Sequence, residues 1–121
     1  MAGVNRMTVK NAHGKIVEVV SKWESVVSLP HRFGGTEFRL GKREIGHIHG
    51  DYQADIAFQK SERDKLVAEG RAEPHHILPQ SGWITFRIRE EADVQAAVEL
   101  FRLSYILALK KCAGHTPRTD V

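Results

Sequence analysis

TEFRLGKREIGHIHGDYQADIAF, residues 36–58 of this 121-residue chain, is the stretch that decides the fold. Apolar and polar residues alternate at its beginning and at its end, and a period of two is typical of a strand with one buried face. Turn-forming residues at Gly41-Lys42 and at Asp51 divide the stretch into three segments. It therefore predicts an antiparallel β-meander.

Helical and extended segments flank this meander. The periodicity predicts helices over about 8–24, 61–69 and 91–111, and strands over about 26–29 and 82–88. This order lacks the alternating rhythm of βαβ units. It favours an α+β fold, an antiparallel sheet with N- and C-terminal helices and with the helices packed on one face.

Local signals set the ends and the buried faces of these elements. Ser61 and Asp64 have the spacing of a capping box at the start of the middle helix, and Gly70 suits its C-terminal end. The first helix is predicted to bury a stripe formed by Ile16, Val19, Val20 and Trp23. The strands are predicted to bury Phe38, Leu40, Ile56, Phe58, Ile84, Phe86 and Ile88.

The composition is that of one small domain. Lys and Arg total 18 against 15 Asp and Glu, a formal charge of +3 that permits an anionic partner without requiring one. Cys112 is the only cysteine, which excludes an internal disulfide and a multi-cysteine zinc site. We expect a single domain over residues 1–111 and a flexible C-terminal tail over residues 112–121. Because no membrane span or secretory leader is visible, we expect a cytoplasmic protein without a membrane partner.

Two pairs of histidines are the main candidates for a functional site. His47 and His49 stand two apart in a strand, so both side chains lie on the same side of the sheet. Placing Ile48 inward puts both histidines outward, near Trp83 and Arg87. The opposite placement buries them with Ile45, and we favour the first because buried imidazoles need partners for every ring nitrogen. Gly46 and Gly50 would then let a helix pack closely from the inner side.

Several chemistries fit this face. A metal ion could take His47 and His49 with one of His75 or His76, and Asp51 could supply an acid ligand. Alternatively, the two strand histidines bond to turn backbone or to Asp55. Acid–base work by His47 or His49 would need Asp51 or Asp55 as an orienting partner. The sequence alone assigns no catalytic residue, no metal ligand and no cofactor.

Nucleic-acid binding is a further alternative. Trp83 could stack on a base, and basic residues lie on the same strands and turns, with His31-Arg32 suited to an anion. Acidic residues on the same elements argue against a purely basic groove. The predicted binding residues are His31, Arg32, His47, His49, Asp51, His75, His76, Trp83 and Arg87.

Four ordered motifs resemble a known family. They are Pro30-His31-Arg32-Phe33-Gly34-Gly35-x-Glu37-Phe38-Arg39-Leu40-Gly41, Gly46-His47-x-His49-Gly50-Asp51, Pro74-His75-His76-x-Leu78-Pro79-x-Ser81-Gly82-Trp83 and Leu103-Ser104-Tyr105. Together they are similar to the small bacterial proteins that carry the label luciferase domain. The resemblance implies a fold and a family whose activity is undefined. It does not imply light emission, because the cofactor motifs of the large luciferases are missing.

A weaker likeness is to the MmcQ/YjbR group, which has a CyaY-like fold and a suggested role in DNA binding. The order of parts is similar, but that group lacks the Gly-His-x-His-Gly segment. We therefore expect a binding or accessory module without catalytic activity that uses an open His/Trp/Arg face. Its partner is an unknown ligand or protein, and a homodimer is compatible with the sequence. The alternatives are a DNA-binding protein and a histidine-based, metal-dependent enzyme.

Overall fold

The computed structural model describes residues 9–115 as one antiparallel sheet with three helices, and side chains as far as residue 111. No helix in this part of the chain has both the length and the apolar character that a membrane span requires. The elements in chain order are α1 (Ala12–Val20), β1 (Val26–His31), a short 3₁₀ turn (Arg32–Gly34), β2 (Gly35–Leu40), β3 (Arg43–His49), β4 (Gln53–Ile56), α2 (Lys60–Ala68), β5 (Glu73–Pro74), β6 (Ile84–Arg87) and α3 (Ala92–His115).

The strands lie in the order β1-β2-β3-β4-β6-β5, and every neighbouring pair is antiparallel. The predicted α+β class and the meander are therefore confirmed. β1 continues through Pro30, where the sequence predicted a stop. An edge strand tolerates this residue because a backbone N–H that faces solvent is not needed for pairing.

α1 and α3 pack together over one face of the sheet. α3 also contacts β2, β3 and β4, so it crosses the meander at its centre. Of the predicted inward residues, Phe58 and Phe86 are partly buried, and the other five lie in the core. Buried members from helices and strands include Ile16, Val20, Phe38, Leu40, Ile48, Ile56, Ile84, Ile88, Leu100 and Phe101.

Helix ends differ from the sequence expectation. α1 is shorter than predicted, and Val19 is 41% exposed, so the expected stripe was wrong in that member. α2 begins after Gln59 without a side-chain cap, so the capping box from Ser61 is not formed. At its C-terminal end, Gly70 has φ +75° and its N–H bonds to the Val67 carbonyl, as predicted for a glycine cap.

The C-terminal helix is longer than predicted. α3 reaches His115, so the first four residues of the expected tail are helical. The remaining part of that expected tail, residues 116–121, lies outside the described residues.

A β-bulge in β3 changes which side chains share a face. Phe38 pairs with Gly46 and Arg39 pairs with Glu44, so Ile45 is the extra residue. Ile45 is fully buried in the core. Simple alternation placed Ile45 on the same side as His47, and this was wrong because the bulge shifts the alternation by one residue. Glu44 lies beside His47 instead.

Gly46 is required by the close approach of α3. A Cβ at this position would lie 2.7 Å from the Asp55 carbonyl oxygen and 2.9 Å from Cε1 of Phe101. The expected role of this glycine in close helix packing is therefore confirmed. Gly50 has a different role from the one expected, because it has φ +50° in the β3–β4 turn and its neighbour is the Tyr52 ring.

We expect Gly46→Ala to lower the free energy of unfolding by about 2–3 kcal/mol, because neither the strand backbone nor the Phe101 ring can move without repacking. Urea unfolding followed by circular dichroism measures the change. Gly14→Ala is the matched control, since a Cβ there meets only the Asn11 side chain and the substitution favours the helix by about 0.5–1 kcal/mol. An unchanged stability for Gly46→Ala would contradict the packing described for Gly46.

Candidate functional site

The face of the sheet opposite α1 and α3 carries one register row that crosses every strand. Leu29 pairs with Glu37, Glu37 with His47, His47 with Asp55, Asp55 with Thr85, and Thr85 with Glu73 of β5. Residues that pair directly in adjacent strands have side chains on the same face. This row therefore holds three carboxylates and a histidine, and Glu37, His47 and Asp55 are consecutive members of it.

Asp55 is the buried centre of this face. Its side chain is 1% exposed, and the fully buried Thr85 hydroxyl donates a hydrogen bond of 2.8 Å to Oδ1. Burial by itself would raise the pKa of Asp55. The bonds with His47 and Thr85 and the nearby histidine charges outweigh burial and hold the pKa well below its usual value. Asp55 is therefore an anion at neutral pH.

The face is closed over this carboxylate. Gln53, Asp55 and Thr85 lie on the predicted side of the sheet, but all three are buried. Histidine side chains and the loop before β6 cover them. The expectation of an open face was wrong here, because a buried carboxylate must be covered by donors.

His47 and His49 approach the same oxygen of Asp55. Their Nε2 atoms lie 3.3 Å and 3.1 Å from Oδ2. Nδ1 of His47 is also 2.7 Å from Oε2 of Glu44. Burial lowers the pKa of His47, but hydrogen bonds with Asp55 and Glu44 outweigh it and raise the pKa to about 9. His49 has a lowered pKa, because of burial and the positive charge of His47.

His31 joins the cluster from the edge strand. Its ring stacks on His47 with centroids 4.0 Å apart, and its Nδ1 lies 2.9 Å from Oε1 of Glu37. The residue paired with His31 is Gly35, which has no side chain on this face. The His31 ring can therefore extend across β2 to reach His47 in β3. Hydrogen bonds from His31 and Arg39 lower the pKa of Glu37.

His75 and His76 approach Asp55 from the other side. Nε2 of His75 and Nδ1 of His76 each lie 3.8 Å from Oδ1. The two rings stack at 4.6 Å. His75 is buried, and burial together with the nearby His76 lowers its pKa, although the Asp55 charge acts in the opposite direction. Four histidines thus face one carboxylate, and His31 stacks on one of them.

The other predicted site residues lie at the margin of this cluster or away from it. The Trp83 ring is 5.5 Å from that of His47 and is partly buried. Arg87 donates to Oε1 of Gln53 at 3.0 Å, and Gln53 in turn donates to Asp55. Arg87 is therefore linked to Asp55 through Gln53. Arg32 is exposed in the 3₁₀ turn.

Asp51 has a structural position that the sequence did not suggest. Its Oδ1 accepts a hydrogen bond of 2.8 Å from the backbone N–H of His13, in the first turn of α1. Asn11, at the N-cap, makes no such bond. The expectation that Asp51 supplies an acid ligand was therefore wrong, since it caps a helix and Asp55 is the carboxylate at the cluster.

Sequence reasoning left Glu37, Glu44 and Thr85 out of the predicted site and named Asp55 only as an alternative partner of His47 and His49, a contact that the structure confirms. Asp55 and Thr85 carried a usable signal, because both lie on the outward parity of their strands. Glu44 could not be assigned to this face by alternation, because the bulge at Ile45 reverses the alternation of faces along β3.

Among the residues whose side chains are described, ring nitrogens and carboxylate oxygens converge in two groups of three. The first comprises His31, His47 and His49, and the second comprises Asp55, His75 and His76. Within each group, one potential ligand atom per residue lies within 4.8 Å of the others. Imidazole and carboxylate ligands suit zinc and related divalent transition metals.

The family model described as Luciferase domain matches residues 42–104, just over half of the chain. The chain belongs to the Luciferase domain family. The segment that matches the Luciferase domain runs from the start of β3 into α3 and includes His47, His49, Asp55, His75 and His76. His31 and Glu37 lie outside it. Neither a curated protein nor a solved structure matched the chain. The likeness to the MmcQ/YjbR group therefore stays a prediction.

The raised pKa of His47 makes folding stability depend on pH. The folded value of about 9 exceeds the unfolded value of about 6.5. Protonated His47 therefore adds roughly 1–3 kcal/mol to the free energy of unfolding below pH ~6.5. This contribution is lost as the pH rises towards ~9. Urea unfolding of metal-free protein between these pH values should show this decline.

His47→Gln is the informative variant, because the stability advantage of the wild type over it should shrink across the same interval. His13→Gln removes a histidine outside the cluster and serves as the control that keeps the decline. A constant difference between wild type and His47→Gln from pH 6 to pH 10 would contradict the raised pKa of His47.

Proposed function

We propose that this Luciferase domain binds one divalent transition-metal ion of the zinc type through His31, His47 and His49, with Asp55 as the adjoining carboxylate. The observation that carries the proposal is the convergence of the three ring nitrogens within 4.8 Å. Ligand bonds of about 2.1 Å in tetrahedral geometry place ligand atoms roughly 3.4 Å apart. Small side-chain rotations therefore suffice to enclose an ion.

Two of the three imidazoles already have the outer partner that a metal-bound histidine requires. His31 Nδ1 faces Glu37 and His47 Nδ1 faces Glu44, at 2.9 Å and 2.7 Å. A histidine ligand usually donates one ring N–H to a carboxylate, which fixes the tautomer and leaves the other nitrogen for the metal. Both rings can therefore present Nε2 to an ion.

Charge supports the same assignment. Asp55 is a buried anion, and Oδ2 is the oxygen that faces His47 and His49. A divalent ion between these groups would be neutralised in part by Asp55. Burying charged groups for stability alone is inefficient, since apolar residues of similar volume often do as well or better.

The site is accessible to an ion. The His31, His47 and His49 side chains are 19%, 13% and 23% exposed. Each ring is thus mostly enclosed but not sealed. The proposal keeps the binding role expected from the sequence and specifies the ligand, and it assigns no reaction.

DNA binding has less support from the same face. Arg39 is paired with Glu37, and Arg87 bonds to Gln53 and lies 3.5 Å from Glu73. Both cations are therefore partly neutralised by acidic or polar neighbours. A nucleic-acid face needs unpaired basic groups for phosphates.

The test is titration of tag-free, metal-stripped protein with zinc by calorimetry, and with cobalt(II) by visible absorption. We expect one ion per chain and a fall in affinity of at least about 100-fold for His47→Ala or His49→Ala, because each removes a direct ligand. His31→Ala should act in the same direction.

Asp51→Ala is the matched control. It removes a carboxylate that lies two residues after His49 in the chain but caps α1. We expect it to destabilise the fold by about 1 kcal/mol and to leave metal affinity unchanged. The proposal is wrong if folded wild type binds neither ion, or if the histidine variants bind as tightly as wild type.

A further inference from the structure

We infer that His75 is a positioning residue, and that the metal centre takes one ion and not two. The inference rests on the proposed function. It concerns the second group, Asp55, His75 and His76, whose potential ligand atoms also lie within 4.8 Å of one another. By distance alone, this group is as good a candidate for a metal site as the group of His31, His47 and His49.

The hydrogen bonds of His75 exclude it as a ligand. Its Nδ1 accepts two backbone N–H groups, from Ile77 at 3.1 Å and from Leu78 at 3.0 Å. A neutral imidazole has one protonated and one unprotonated nitrogen. Because Nδ1 is the acceptor, the proton is on Nε2. Loss of this proton would leave an imidazolate anion, because Nδ1 carries none, so His75 does not offer Nε2 to a metal. His31 and His47 differ, because each can keep a proton on Nδ1, which faces a carboxylate, and offer Nε2.

The Nε2 proton of His75 faces the carboxylate instead. Nε2 lies 3.8 Å from Oδ1 of Asp55, the oxygen that also accepts from Thr85. The two oxygens of Asp55 are thus divided. Oδ1 faces His75 and Thr85, and Oδ2 faces His47 and His49. This division fixes the oxygen that adjoins the first group.

The second group without His75 is too small to hold an ion. It retains Oδ1 of Asp55 and His76, whose Nδ1 is 3.3 Å from the Thr85 hydroxyl. Closed zinc sites use four protein ligands and open ones use three. His75 therefore acts on the first group only indirectly, through Asp55 and through the loop that covers it.

The same ring also fixes the start of this loop. Ile77 and Leu78 lie two and three residues after His75, and their amides point back to its Nδ1. Arg63 of α2 holds the far end by donating to the Ser81 carbonyl at 2.8 Å. The loop thus has two anchors, and His75 connects one of them to Asp55.

Two substitutions of His75 test the roles of its two ring nitrogens separately. Asn places an amide oxygen near the position of Nδ1, so His75→Asn keeps the acceptor for the loop and loses the Nε2–H group that lies 3.8 Å from Asp55. Gln reaches the position of Nε2, so His75→Gln keeps the donor and loses the acceptor. The measurements are cobalt(II) affinity and spectrum, and hydrogen exchange of the Ile77 and Leu78 amides.

We expect His75→Asn to keep slow amide exchange and to bind cobalt(II) about tenfold more weakly, as for loss of an outer partner. His75→Gln should keep affinity within about threefold and exchange its loop amides at least about tenfold faster. Wild type and both variants should give one ion per chain and the same cobalt(II) spectrum, because the ligand set is unchanged.

Three results would overturn the inference. They are a wild-type stoichiometry of two, a changed cobalt(II) spectrum in both variants, and loop amides that exchange equally in all three proteins. If wild type binds no metal, the proposed function fails separately. The amide exchange of the two variants still decides whether His75 Nδ1 is the loop acceptor.

Discussion

The buried carboxylate of Asp55 is the constraint on which the polar face of this domain depends. A charge that is 1% exposed is tolerated only when donors surround it. Donors within 3.5 Å of its oxygens come from Thr85, Gln53, His47 and His49. His75 and His76, in the loop after β5, each place a ring nitrogen 3.8 Å from Oδ1. Each of these donors is in turn held by a second contact. The cluster therefore behaves as one network, in which loss of the central anion would leave several donors without a partner.

This network is joined to the core through the strands that carry it. Ser104 of α3 donates to the carbonyls of Ile45 and Ala57, at 3.1 Å and 2.8 Å. These carbonyls belong to the bulge in β3 and to the chain that follows β4. The helix thus fixes the backbone on either side of His47 and Asp55. Gly46 permits this close approach, so the glycine in the Gly-His-x-His-Gly segment helps to position the cluster from the opposite face.

Much of the fold could be predicted from local pattern. The alternation in residues 36–58 predicted the meander, and β3 lies between the two predicted turns. The bulge at Ile45 could not be predicted, because it depends on how α3 and β2 fit against β3. The role of Asp51 was hidden for a similar reason. Its partner is 38 residues earlier in the chain, and no local pattern links a turn aspartate to a distant helix end.

The candidate site was predicted in part. Parity placed His47 and His49 together outside the core. It did not bring His31 into the cluster, because the position of His31 depends on its pairing with Gly35 in β2. It also did not distinguish His75 from the other histidines. That distinction depends on two backbone amides whose direction is set by the tertiary fold of the loop.

The most direct test of this account is the protonation of each ring nitrogen, observed by ¹⁵N NMR of the histidine side chains before and after addition of zinc. We predict that Nε2 of His31 and His47 gains the shift of a metal-bound nitrogen while Nδ1 stays protonated. His75 should carry its proton on Nε2 in both states. Zinc-dependent loss of the Nε2 proton of His75, or unchanged shifts at His31, His47 and His49, would contradict the account.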